Sequence, residues 1–337
     1  MPATLSELFA TQFQLCNIGS GQLVGVIAEH GQKLDYVDAA VAGARSVGAS
    51  AVVLTASSLS NPTLPGLEHK AGPDVPALLA AAGECDMVID VTVGGLIHSD
   101  VRTRITGAGR RMLFVAEPSD VLERLIGTAE IRRRVEAGRD LLKAGKQLRV
   151  TSAGGTDFVA DISSDDLPIT CQWGFVDEPG RWDHWPSGFI ACFPKDGSVN
   201  GTIVLQPGDA LIPWQRYVQQ PVELTIEKGF IRKIEGDGID AANLRDYLST
   251  WDDEAVYATS HMGWGVHPTA SWSAFEVYNP RTLYGQELRS VEGNFMWSTG
   301  SNRFANRETP AHLDIPMRGC TIAVDDTVVV RDGALTL

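Results

Sequence analysis

Three side chains in the last quarter of the chain have the types and spacing to hold one metal ion. His312 and Asp314, in Ala311-His312-Leu313-Asp314-Ile315, alternate with apolar residues in a β-prone run, which puts both on one face of a strand. His261, in Thr259-Ser260-His261-Met262-Gly263-Trp264-Gly265, follows the apolar run Ala255-Val256-Tyr257-Ala258 and precedes two glycines. That places an imidazole at an expected strand end where backbones can pack closely, and it would supply a second nitrogen if the fold brings it alongside. His267 competes for the role, but the neighbouring Pro268 marks a turn and favours His261. Two imidazoles and one carboxylate leave open coordination positions, the arrangement used by non-haem Fe(II) oxygenases.

Other residues have the chemistry to line a pocket around such an ion. His98 comes directly after the apolar strand that ends near Val91, at the edge where α/β sheets hold ligands. Ser99 beside it also suits a helix N-cap. His184 stands in Pro179-Gly180-Arg181-Trp182-Asp183-His184-Trp185-Pro186-Ser187-Gly188, read as a rigid aromatic loop that sets an imidazole donor against a flat substrate. Arg289 and Ser298 fall between the proposed ligands in sequence and could anchor substrate oxygens, arginine through its planar donor fork.

The elements that must position these residues fall into two textures. Up to about residue 150, short apolar strands at Leu23 to Ala28, Ala51 to Thr55, Met87 to Val91 and Met112 to Val115 alternate with helix-length segments. The longest of these, Ala129 to Ala144, carries Arg132-Arg133-Arg134, which reads as a solvated helix face. Alternation of this kind implies parallel pairing with helices on both faces. From residue 151 to 337, short β-type runs punctuated by Gly, Pro and Asp imply a mainly antiparallel, β-rich domain, with a tight hairpin turning at Gly229. The expected architecture is an α/β domain over 1–150 followed by a β-rich (α+β) domain over 151–337 that carries the metal site.

Composition narrows the partners. A formal net charge of -14, from 42 Asp+Glu against 28 Lys+Arg, argues against a nucleic-acid partner, because phosphate-backbone binding depends on clustered cations. No apolar run reaches the roughly 18 residues that cross a bilayer. The 5 cysteines lack C-x-x-C spacing, and no charged and apolar leader opens the chain. The expected setting is the reducing cytoplasm.

Taken together, Gly94-Gly95-Leu96-Ile97-His98-Ser99, the Pro179 to Pro186 segment, Ser260-His261-Met262-Gly263-Trp264-Gly265 and His312-Leu313-Asp314 resemble the 2,5-dihydroxypyridine 5,6-dioxygenases of bacterial nicotinate and picolinate breakdown. The resemblance covers nearly the whole chain and is most specific around His184. It implies one Fe(II) held by His261, His312 and Asp314, with O2 and a small hydroxylated pyridine as reactants and N-formylmaleamate as product. It implies acid/base or orienting roles for His98 and His184, substrate contacts at Arg289 and Ser298, and a homo-oligomer. On this reading His98 takes the proton of the substrate 5-hydroxyl and later returns it, while His184 meets developing charge. The architecture also looks related to thermophilic-type metallo-aminopeptidases. A histidine at 261 where that family has a glutamate, and no histidine between His267 and His312, set the chain apart from their two-metal site. The alternative function is a mononuclear zinc hydrolase in which the same three residues activate water.

Overall fold

The computed structural model describes residues 2–56, 75–96, 99–115, 117–279 and 282–337. The expected Ser57 to Pro73 loop and the candidate base His98 lie outside the described residues.

The first half is built on a five-stranded parallel sheet in the order Ser50–Ala56, Leu23–Glu29, Met87–Asp90, Arg111–Val115 and Trp182–Trp185. Of its three inner strands, Met87–Asp90 and Arg111–Val115 are buried at every position and Leu23–Glu29 at all but its first, as expected of strands covered on both faces. Helices flank the sheet. Leu5–Leu15 starts on a capping box in which Thr4 and Glu7 satisfy each other's backbone N–H groups. Leu34–Ser46 packs against it, closely enough that a Cβ on Gly43 would come within 2.7 Å of Phe9.

The fifth strand departs from the sequence reading. The segment around His184 was expected to be a loop, yet Trp182–Trp185 is a strand parallel to Met112–Val115. Apolar burial decides it: Trp185 is completely buried, packs edge-on against Phe9 at 5.2 Å and donates its indole N–H to the Leu122 carbonyl. The prolines and glycines on either side keep the strand to 4 residues. A segment from beyond residue 150 thus completes the sheet of the first half.

The second half is built on two large antiparallel sheets, with a small two-stranded one at Ala210–Leu211 and Arg216–Tyr217. An eight-stranded sheet runs Phe230–Glu235, Val222–Glu227, Asn200–Leu205, Asp157–Asp161, Gln147–Ser152, Cys320–Val324, Thr327–Arg331 and Ala334–Leu335. Its first hairpin turns at Lys228 and Gly229, both with positive φ, as a two-residue primed turn requires. A five-stranded sheet runs Arg307–Met317, Phe295–Asn302, Thr259–Gly265, Phe189–Cys192 and Ile169–Gln172. The two pack through contacts such as Phe158 on Phe295, with ring centroids 5.6 Å apart.

The strand carrying His261 also begins later than its sequence suggests. Residues Glu254–Tyr257 form a 3-10 turn capped by Asp253, which accepts from the Ala255 N–H, and the strand runs Thr259–Gly265. His261 therefore sits inside the strand. The strand continues through Gly263 because the neighbouring backbone closes on it: a Cβ there would lie 1.8 Å from the Ile190 carbonyl oxygen.

Helix Ala129–Ala144 joins the halves. Its arginines do more than face solvent: Arg132 pairs with Asp177 and Glu178 and stacks on Trp173, and Arg134 pairs with Glu292. One continuous apolar core includes Phe9, Val26 and Leu113 from the first half and Phe158, Trp264 and Ile315 from the second.

Candidate metal centre and its cavity

Three adjacent strands of the five-stranded sheet build the centre. His261 lies on Thr259–Gly265, His312 and Asp314 lie on Arg307–Met317, and Phe295–Asn302 runs between them, pairing Ser298 with Asp314 and Gly300 with His312. Strands in a sheet lie about 4.8 Å apart, so side chains from the two outer strands meet only by reaching over the middle one. Ser298 and Gly300 are small enough to let them. His261 Nε2 is 3.3 Å from His312 Nε2, and the two nitrogens are 3.5 and 3.2 Å from Asp314 Oδ1.

That triangle fits a metal ion. Bonds of about 2.1 Å to nitrogen and oxygen on one face of an ion leave donor atoms about 3.0 to 3.4 Å apart. His261, His312 and Asp314 are also the group of metal-capable side chains found together among the described residues. Burial keeps the His261 imidazole neutral by pushing its pKa down to about 3. Burial by itself would raise the Asp314 carboxyl, but the Arg289 guanidinium and the two imidazoles outweigh it and hold Asp314 well below the usual carboxylate range. His261 and Asp314 are therefore in the states a divalent cation binds.

Arg289 takes the far oxygen of Asp314, through Nε at 2.8 Å and Nη2 at 2.6 Å to Oδ2, leaving Oδ1 toward the imidazoles. It was expected to be a substrate contact; its fork is engaged with Asp314, and it also lines the cavity. Ser298, the other expected substrate contact, is fully buried and does not line the cavity. Its Oγ accepts from the His261 N–H at 2.9 Å and donates to the His261 carbonyl at 3.0 Å, across an irregularity in strand pairing. Arg289 thus holds the Asp314 carboxylate and Ser298 the His261 backbone. His267 lies apart, buried with its Nδ1 3.0 Å from Thr269 Oγ1.

The triangle opens into a cavity of about 580 Å³. His184 lines it from the parallel sheet. Its ring is stacked near Tyr284 at 5.7 Å and edged by Phe114 and Trp182 at 5.6 and 5.8 Å. Neither ring nitrogen has a hydrogen-bond partner among the described residues. Burial and then the charges of Arg289 and Arg102 push its pKa down to about 3, so it faces the cavity as a neutral imidazole. A buried polar group without a partner is uncommon, and here the ligand space is what remains to satisfy it. Asp183 fixes the strand beneath it by accepting from the His184, Trp173 and Gly174 N–H groups and from Arg181. Ser99, the residue after His98, lines the same cavity together with Arg102, so the first half contributes a wall.

Sequence reasoning missed Tyr284, Arg102 and Gln172 in that wall, and Glu117 behind it. Glu117 had a signal, since it follows a parallel strand at its carboxyl end. Tyr284 had none.

Known proteins match this chain over nearly its whole length. A sequence model of the 2,5-dihydroxypyridine 5,6-dioxygenase family matches residues 4–337. A curated 2,5-dihydroxypyridine 5,6-dioxygenase from Pseudomonas putida (strain KT2440) is 37% identical over 339 aligned positions, covering 98% of this chain and 95% of that protein. The solved structure of the 2,5-dihydroxypyridine dioxygenase from Pseudomonas putida KT2440 superposes with a TM-score of 0.92 at 36% identity, over 99% of this chain and 98% of that one. Wild-type AmpT from Thermus thermophilus shares the fold, with a TM-score of 0.65 at 14% identity over 99% of both chains. A metal cofactor accords with a dioxygenase family and with the donor triangle. With sequence and fold matched from near the first residue to the last, this chain belongs to the 2,5-dihydroxypyridine 5,6-dioxygenase family.

Proposed function

We propose that this chain opens the ring of 2,5-dihydroxypyridine between C5 and C6 with O2, giving N-formylmaleamate, at one Fe(II) held by His261, His312 and Asp314. The observation that carries this reading is the convergence of two imidazole nitrogens and one carboxylate oxygen, 3.2 to 3.5 Å apart, on a cavity that also presents a neutral, unpartnered His184. Ferrous iron held there would supply the capacity to engage O2 and the substrate oxygen at one centre.

The protein's own residues do the rest. Arg289 holds Asp314 in its ligating orientation, and Ser298 fixes the backbone of His261. Tyr284 and Trp182 give the flat ring aromatic surface to lie against. His184 hydrogen-bonds the substrate oxygen where negative charge builds, a fixed donor that needs no reorganisation. His98 removes the proton of the 5-hydroxyl and returns it after ring opening; its sequence neighbour Ser99 lines the cavity. Both oxygen atoms end in the product, one on C5 as carboxylate and one on C6 as formyl, so no external reductant is needed. Five free thiols suit a reducing compartment such as the cytoplasm. We further infer a homo-oligomer; a monomer by light scattering would refute it.

The test is anaerobic preparation of metal-free protein, reconstitution with Fe(II) or Zn(II) in parallel, and measurement of O2 uptake with 2,5-dihydroxypyridine. The expected result is stoichiometric O2 uptake and ring opening with Fe(II) alone. Zinc-dependent hydrolysis without oxygen uptake would overturn the reading.

A further inference from the structure

A carboxylate from the parallel-sheet half reaches the metal centre through two intermediaries. Glu117 lies just past the Arg111–Val115 strand and is almost completely buried. Its Oε1 accepts from the Gln286 N–H at 2.5 Å and its Oε2 from the Tyr284 N–H at 3.4 Å. These groups stand at the start of the short helix Gln286–Ser290, which carries Arg289. Arg289 holds Asp314 Oδ2, and its Nη1 returns to the Tyr284 carbonyl at 3.2 Å. The Tyr284 residue is thus gripped by Glu117 at its N–H and by Arg289 at its C=O.

We propose that Glu117 is a positioning residue for the metal centre: by fixing the start of the Gln286–Ser290 helix it sets the Arg289 fork, and through it the direction in which Asp314 presents Oδ1.

Two features call for a carboxylate here. The acceptor must meet two converging N–H groups with two oxygens, and a glutamine would set an NH2 against one of them. The location is also unfavourable for charge, since burial raises the Glu117 carboxyl and nearby Glu287 adds to that, opposed by the Gln286 and Tyr284 N–H groups. A buried charge is retained where it is hydrogen-bonded. The helix has independent anchors: Glu287 accepts from the Ser271 N–H and pairs with Arg124, and Asn294 donates to the Leu288 carbonyl. Loss of the Glu117 contact should therefore let the helix shift while the fold persists.

The inference rests on the metal site proposed above, so the wild-type protein is the first arm of its test. Full-length wild type, Glu117→Gln, Glu117→Asp, Arg289→Met and the Glu117→Gln/Arg289→Met double variant are titrated with Mn(II) by calorimetry. Turnover of the Fe(II)-loaded proteins is measured alongside. Glu117→Gln should weaken Mn(II) binding about 10- to 100-fold and lower kcat with little change in KM. Glu117→Asp, which keeps the charge, should lose less. The double variant should bind Mn(II) within about twofold of Arg289→Met, because the effect passes through Arg289. Wild-type affinity in folded Glu117→Gln, or additive losses in the double variant, would overturn the proposal. So would failure of both Glu117 variants to fold, which would make the contact purely structural. If the wild type itself binds no Mn(II), the metal-site reading falls first; a wild type that binds and a Glu117→Gln that binds equally well removes only Glu117.

Discussion

A histidine buried among aromatic rings without a hydrogen bond is destabilising unless something outside the chain completes it. Among the described residues His184 has no hydrogen-bond partner, and burial pushes its pKa down to about 3, far below the working range. The sign follows: between pH 5 and pH 8 its charge does not change, so an acid limb in the pH profile of kcat/KM must come from another group. His184→Ala should lower kcat about 100-fold, the loss of one fixed donor, while that limb stays where it is. A limb that moves by a full pH unit in the variant would assign the titration to His184. At this scale the sequence was informative wherever a side chain's own chemistry does the work. His312 and Asp314 are separated by one residue in a β-prone run, and the indoles around His184 announce an aromatic wall. Glu117 and Ser298 act on backbone N–H and C=O groups, so residue types do not reveal what they hold; only the place of Glu117 after a parallel strand marks it.

The three-strand platform works because its middle strand is thin at the right positions. Gly300, opposite His312, has φ +94, and a Cβ there would stand 2.0 Å from the Ala311 carbonyl oxygen and 3.3 Å from the His312 Cα. Gly300→Ala would therefore push the two strands apart beneath the ligands. Gly21 separates strain from collision, since it has φ +82 with nothing near its absent Cβ. Gly21→Ala should cost about 1 kcal/mol by backbone strain and leave metal affinity unchanged. Gly300→Ala should cost more, about 3 kcal/mol, and weaken metal binding, read by thermal melting and calorimetry on the same preparations. Equal losses in the two variants would mean that the close approach at Gly300 carries no functional weight. Helical and extended periodicity made most elements legible, the Ala129–Ala144 helix to the residue. The Trp182–Trp185 strand was not, because 4 residues between prolines and glycines show no period, and only burial beside Arg111–Val115 makes them a strand.

The two halves share more than a border. The parallel sheet borrows its fifth strand from the second half, Ala129–Ala144 is ion-paired to segments beyond residue 150, and one apolar core runs through both. The cavity is walled by Ser99 and Arg102 from one side and by the ligand strands from the other. A metal bound at the centre should therefore stabilise the whole chain, because a ligand that binds only the folded state shifts the global equilibrium when unfolding is cooperative. At a free metal concentration about 100 times its Kd the gain is about 2.7 kcal/mol, which in a protein larger than about 150 residues corresponds to roughly 5 °C in Tm. Chelation should lower Tm by that amount in a single transition, and either Fe(II) or Zn(II) should restore it, while only Fe(II) restores O2 uptake. That outcome would separate holding the ion from using it: the triangle of His261, His312 and Asp314 would take either of two similar cations, while the proposed ring opening would need Fe(II). Two transitions, with metal moving only one of them, would show that the halves melt independently and that the shared core does not couple them.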